Sequence, residues 1–370
     1  MEKEAKKFSM KTMLILAGTY VSFGIGAGFA TGTELLQFWS CFGLKGIIGM
    51  VISSVLILGC IGVISNDCRK YELHNMDEMF KHYCGKYIGM AIRWLETLAL
   101  FLMVGSMISG GATSMSQTLG IDMRICTLIM LVAVTLTVLL GMRRLTDILG
   151  GIAPFILIAV VIICFFNYAN PSDTLAEGNR ILIESSGGLT MSNNLIFAAI
   201  LNFTYVVLDM GAYSANVADR ADERRELVWG NLLGQTAVLL CQVFIFIAFI
   251  LNASVVAGQD IPIILLGAKL GSAFSVFYGI IVILATYTTA TGMAWLVSSN
   301  IKPEKDKKYK LISVLICLGA YVFTFFGTFG VLMNVVMSLI SYVGIAFAVC
   351  VIVSKTYRWF KEKNAGAVNN

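Results

Sequence analysis

Asp209 stands deep inside an apolar stretch, where a carboxylate is costly and is read as functional by default. It could pair with a substrate amine, coordinate sodium or carry a proton. The structural alternative is a hydrogen-bonded side chain that satisfies nearby backbone. Phe203 and Tyr205, about one turn earlier, suit an aromatic lid over a bound solute, or ordinary core packing. A second polar run, Thr286 to Gly292 with Thr288 and Thr289 adjacent, offers hydroxyls to a hard cation such as sodium. Threonines also hydrogen-bond their own helix, which is the plainer use.

The surroundings of Asp209 recur earlier in the chain. Residues 19–27 read TYVSFGIGA and residues 204–212 read TYVVLDMGA, five identities in nine at an offset of 185, half the 370-residue length. Around the first copy, Gly24, Gly26, Gly28 and Gly32 fall within nine residues. Each glycine costs about 1 kcal/mol in a helix interior, so this spacing predicts a broken helix. Paired interruptions in two halves mark transporters built from inverted repeats. Freed N–H groups there would receive a carboxylate and freed carbonyls a cation. The glycines also fit close helix packing of the GxxxG kind.

Other polar residues read as support. Thr31-x-x-Glu34 is a capping box that would start the outer half-helix, and Glu34 could also draw a cation or amine into a vestibule. Arg93 and Glu96, one turn apart, are able to pair as a structural or inner-gate contact. Ser106, near Ser109, Gly110 and Gly111, could flank a ligand. Gly150, Gly151 and Pro154 make a weak segment, either a fixed kink or a place that loosens toward an exit. His74, His82, Cys68 and Cys84 share a loop but fit no zinc spacing.

The elements that must carry these residues are membrane helices. Apolar residues make up 58% of the chain and charged residues 13%, with mean hydropathy +0.82. That charge content is about half what a soluble surface needs. Apolar runs of roughly 20 residues recur, the helical rather than the barrel signature. Ten spans are expected: 12–42, 44–65, 86–117, 124–141, 146–167, 194–219, 226–252, 271–299, 310–326 and 329–354. They form one transmembrane domain with repeats at 12–167 and 194–354 and tails at 1–11 and 355–370. The basic start followed by apolar sequence is read as a retained first helix, since no small-residue cleavage site follows. With both termini cytoplasmic, inner segments hold 22 of 27 basic residues, which fixes the orientation. Five spans per half then invert the second repeat. Nine scattered cysteines form no disulfide framework, and the basic excess of +5 lies in loops rather than in a nucleic-acid surface.

Ten spans in a five-plus-five inverted repeat, with spans one and six broken, resemble the LeuT fold. Gly26 to Glu34, GAGFATGTE, resembles the first helix of YkvI-like membrane proteins. Gly26-Ala27-Gly28 is similar to the Gly-Ser-Gly of amino acid–polyamine–organocation transporters, and Thr288-Thr289 resembles span eight of branched-chain amino acid:cation symporters. The resemblance implies an all-α protein with broken helices 1 and 6. It also implies substrate carboxylate binding at Gly26, Ala27 and Gly28. A sodium site would take hydroxyls from Thr288 and Thr289 and carbonyls from Ser22 and Ile25, or from Tyr20 and Phe23 if the motif begins at Gly24. Some relatives replace sodium with a lysine in span five; none is present here, which favours sodium. Asp209 departs from the apolar or amide residue usual at the second break, which points away from an ordinary branched-chain substrate.

The expected function is a sodium-coupled symporter of a small amino acid or related zwitterion, working by alternating access in a bacterial cytoplasmic membrane. It would need membrane lipids, a small solute and sodium, and no other cofactor. The alternatives are proton-coupled or uncoupled transport of a cationic amine, and a non-transporting sensor. No HExxH, nucleophile–histidine pair or clustered acidic motif suggests an enzyme.

Overall fold

The computed structural model describes residues 8–24, 27–140, 146–185 and 189–368. The described chain is helical throughout: α1 Met10–Gly24, α2 Ala27–Thr31, α3 Thr33–Trp39, α4 Gly46–Lys70, α5 Met76–Leu119, α6 Met123–Leu140 and α7 Thr146–Ala169 form the first half. After α8 Leu175–Ser185 come α9 Leu195–Val217, α10 Arg224–Ile250, the short α11 Ala253–Val256 and α12 Pro262–Ala268, then α13 Ser272–Ile301, α14 Tyr309–Phe323 and α15 Phe329–Val368. Among the described residues, 8 helical stretches are long and apolar enough to cross a bilayer. The 15-residue α1 and the apolar stretch 155–169 of α7 stand at expected spans one and five.

Local signals set the ends. Asn75 caps α5 by accepting from the Glu78 N–H at 2.9 Å, and Asn194 caps α9 by accepting from Phe197 at 3.0 Å. α5 is 44 residues long because it joins two pieces: Gly85, at φ 73°, turns a loop helix into the span that begins at 86. α15 runs beyond the expected tail boundary at 355, so the C-terminal tail continues as helix through Val368.

Among the described residues the first span is interrupted at Gly32, whose φ of 79° separates α2 from α3, while Gly28 lies within helix α2. Ile25 and Gly26 lie outside the described residues. The sixth span overturns the other half of that expectation: α9 is one helix from Leu195 to Val217, straight through Asp209 and Gly211. A single glycine costs about 1 kcal/mol, which packing readily offsets, whereas four in nine residues do not average out. The two segments nevertheless meet, since a Cβ on Gly24 would lie 2.9 Å from Met210 Cε.

Around that meeting point the bundle closes. α1 packs on α10, where Gly230 and Gly234 leave room for Leu16 and Tyr20. On the side expected to face outward, Thr33 Oγ1 donates to the Asp260 carbonyl at 2.6 Å. Asp260 Oδ1 in turn accepts from the Gly330 N–H at 3.0 Å. This ties α3, the 257–261 loop and the start of α15 together around a cavity of about 260 Å³. On the opposite side, buried Asp67 accepts from Tyr83 Oη and from Lys355 Nζ, both at 2.8 Å, joining the end of α4, the loop helix and α15.

Candidate functional site at the meeting of spans one, three and six

Four polar side chains gather where α3, α5 and α9 meet. The Tyr205 hydroxyl, on α9, donates to Glu34 Oε1 at 2.9 Å across a sequence gap of 171 residues. One turn further along the same helix, Asp209 brings its carboxyl beside that of Glu96 on α5, whose Oε2 is buried with no hydrogen-bond partner among the described residues. Two carboxyl groups this close disfavour each other's ionisation, so the pair favours sharing a proton. The charges of Glu34, Glu96 and Asp209 all act on the Tyr205 hydroxyl, so the four groups form one electrostatic unit. Among the described residues no lysine or arginine is paired with any of the three carboxyls. Glu96 is buried, while Glu34 and Asp209 are only partly covered.

Backbone geometry makes room for Glu34. A Cβ on Gly28 would lie 2.0 Å from Glu34 Oε1 and 2.6 Å from its Cδ, so the carboxyl rests against bare backbone. This replaces the expected capping box. Gly32, not Thr31, precedes α3, and of that helix's N–H groups Thr31 Oγ1 reaches only the Thr33 N–H, at 3.4 Å. Thr31 Oγ1 instead donates back to the Gly28 carbonyl at 2.9 Å, holding α2 closed. The left-handed Gly32 displaces Thr31 from the capping position, which frees Glu34 to face α9.

The expected Arg93–Glu96 pair is also replaced. Arg93 sends Nη2 to the Asn300 carbonyl at 3.4 Å and lies 3.7 Å from Asp77, while Glu96 turns inward to Asp209. A cation at the polar end of α13 is better solvated than one drawn into the apolar interior beside Glu96 and Asp209. The sequence marks both Glu96 and Asp209 as isolated carboxyls in apolar spans. The pairing between them is set by how α5 and α9 pack, which neither segment encodes alone.

The remaining expected residues divide. Ser106 is buried and donates to the Leu102 carbonyl of its own helix at 3.3 Å. Phe203 is half-buried against the core. Thr288 Oγ1 donates to the Ala285 carbonyl at 2.9 Å, the plainer of its two expected uses. Thr289 is half-buried with no side-chain hydrogen bond among the described residues, and Ser22 is half-buried near the end of α1. Ala27 opens α2 and Pro154 lies within α7. Gly26 and Ile25, central to the expected carboxylate and sodium sites, fall outside the described residues.

This order of helices, with an interrupted first span against a polar sixth, defines an all-α integral membrane protein of the LeuT fold. Among solved structures it is similar to the inward-facing conformation of Mhp1, a transporter of the nucleobase-cation-symport-1 family. The TM-score is 0.56 and identity 14%, over 84% of this chain and 69% of that one. It is also similar to the manganese transporter of Eremococcus coleocola, with TM-score 0.57 and 14% identity over 96% of this chain and 79% of that one. In sequence it is 23% identical over 349 residues to the uncharacterized membrane protein YkvI of Bacillus subtilis (strain 168), covering 93% of this chain and 96% of that protein. No family model matches the chain.

Proposed function

We propose that this protein is a secondary transporter of a small cationic solute bearing an amine, received by Glu34, Glu96 and Asp209 and moved by alternating access. The observation that carries this reading is three carboxyl groups converging beside the interrupted first span with no basic residue paired to them among the described residues. Each ionised carboxylate at mid-membrane costs about 2.5–3.5 kcal/mol, so a site of this kind is expensive unless a cation occupies it. An ammonium group has three donors, enough for Glu34 and for both members of the Glu96–Asp209 pair. Its arrival displaces the shared proton, which couples solute binding to proton movement. The LeuT fold, shared with Mhp1 and with a manganese transporter, supports the transport part of this reading.

The test is a thermal-shift screen of amines, amino acids and betaines on the purified protein. A ligand that binds only the folded state stabilises it by mass action. The strongest stabiliser is expected to be a cationic amine. Asp209→Asn keeps the hydrogen bonding and removes the charge, so affinity should fall about ten- to a hundredfold, the loss of one charge-assisted contact of about 1.5–3 kcal/mol. A well-folded Asn variant with unchanged affinity would make Asp209 structural.

A second reading rests on Thr289, whose hydroxyl is free of side-chain bonds among the described residues and lies beside Thr288 on α13. In it, sodium drives uptake of a small zwitterion. Sodium should then raise stability more than potassium does, and Thr289→Ala should abolish the difference. Equal shifts with both ions in the unmutated protein count against it.

A further inference from the structure

An apolar groove of about 460 Å³ opens on the membrane face between α5, α13 and α14. Its walls include Trp94, Leu98, Phe101, Ile301, Ile312 and Leu315. Trp94 is 49% exposed, Leu98 47% and Leu315 58%, so no described residue covers the groove. At one end the lining turns abruptly polar. Ile301 is followed directly by Lys302, and Ile312 sits one helical turn after Lys308, so residues 302–310 join the α13 and α14 walls at that end of the groove.

That loop is a cluster of free positive charge. Its two acidic residues are already engaged: Glu304 accepts from the Trp295 indole N–H. Asp306 lies 3.9 Å from Lys302 and accepts from the Lys308 backbone N–H at 2.8 Å. Lys305, Lys307, Lys308 and Lys310 are exposed, and none is paired with a carboxylate among the described residues. The opposite lip carries Arg93, stacked 5.6 Å over the Trp94 ring, donating to the Asn300 carbonyl at the end of α13 and already 3.7 Å from Asp77. The unpaired positive charge at the mouth is therefore the lysine cluster, at the end of an apolar channel.

We infer that this groove is a binding site for an anionic phospholipid of the adjoining leaflet, one acyl chain lying along α5 and α14 and the phosphate held by the 302–310 lysines. The charge decides the occupant. A second copy of this chain would bring the same lysine cluster to the contact, and a zwitterionic lipid would leave the cluster uncompensated. Basic clusters at the ends of membrane helices select anionic headgroups, at about fivefold in affinity per lysine near the surface. The bound lipid would brace α14 against α5 and α13, elements on the far side of α5 from the carboxyl site.

The test is native mass spectrometry of the full chain in a nonionic detergent, with phosphatidylglycerol or phosphatidylcholine of identical acyl chains added in turn. Phosphatidylglycerol should be retained at least tenfold more tightly. The combined variant K305Q/K307Q/K308Q/K310Q, whose thermal unfolding serves as a folding control, should lose that preference. Leu315→Trp, which fills the channel, should weaken retention of both lipids. Equal retention of the two lipids by the unmutated protein overturns the inference, as does an unchanged preference in the lysine variant. So does stabilisation by inorganic phosphate equal to that by the lipid, or a dimer whose formation Leu315→Trp abolishes.

Discussion

Spans one and six begin from nearly the same words and end as different structures. Thr19-Tyr20-Val21 and Thr204-Tyr205-Val206 both start inside helix, and their tyrosines both reach across to another span: Tyr20 to Gln235 and Tyr205 to Glu34, at 2.8 and 2.9 Å. Beyond that point span one runs through a glycine-rich stretch and breaks its helix at Gly32, while span six meets Asp209 and one glycine and keeps it. The two halves thus solve one problem, placing polar groups at mid-membrane, by different means. Span one opens its backbone at Gly32 and lets a side chain from the helix that follows, Glu34, settle against Gly28. Span six keeps every backbone bond and supplies the polarity from the Asp209 side chain. Unwound backbone at this depth is tolerated only where protein or a wet cavity surrounds it, and one such opening is enough to line a site.

The sharpest way to break this comparison is at Gly32. Its φ of 79° is left-handed, and an added Cβ would lie 2.6 Å from Phe249 Cζ and 2.9 Å from Ile263 Cγ1. Left-handed backbone costs an L-residue roughly 1–2 kcal/mol, and overpacking about 1–3 kcal/mol more. Gly32→Ala should therefore destabilise by about 2–5 kcal/mol, read as a large fall in thermal unfolding temperature in detergent. A variant as stable as the parent would mean that span one does not need this interruption.

Gly28→Ala sharpens the same comparison through function. The added Cβ meets only the flexible end of Glu34, so the side chain can swing away and the fold survives. A helical alanine gains up to about 1 kcal/mol over glycine, while the lost Tyr205–Glu34 bond costs about 1.5–3 kcal/mol. Net stability should fall by about 1 kcal/mol, yet affinity for a cationic amine should fall at least tenfold. Equal amine affinity in parent and variant would remove Glu34 from the site.

The contrast also shows which features were legible in the sequence. Helix number and the interruption of span one follow from local chemistry: apolar run length and glycine density. The pairing of side chains does not. Arg93 and Glu96 are neighbours on one helix, but the packing of α5 against α9 and α13 sends them to opposite sides, to Asn300 and to Asp209. Glu34 reads equally well as a cap or as a site residue until the conformation of Gly32 decides between them. Sequence similarity misled at span six, because five shared residues carried over the expectation of a break without the glycines that cause one.

The smallest expected effect tests that last point. If α9 is continuous at Gly211, an alanine there keeps every backbone bond, and its Cβ would lie 3.3 Å from Ile64 Cδ1 and 3.4 Å from Met79 Sδ. Those contacts are tight but involve flexible side-chain ends that can give by a few tenths of an ångström. Against them stands the helix preference of alanine over glycine, about 1 kcal/mol. The two terms nearly cancel, so Gly211→Ala should change stability by less than about 1 kcal/mol in either direction and leave amine binding intact. A break at this position would respond differently, since glycine would then supply backbone freedom that alanine lacks. Loss of binding or a multi-kcal/mol destabilisation in Gly211→Ala would restore the broken sixth span and, with it, the symmetry that the two sequences suggest.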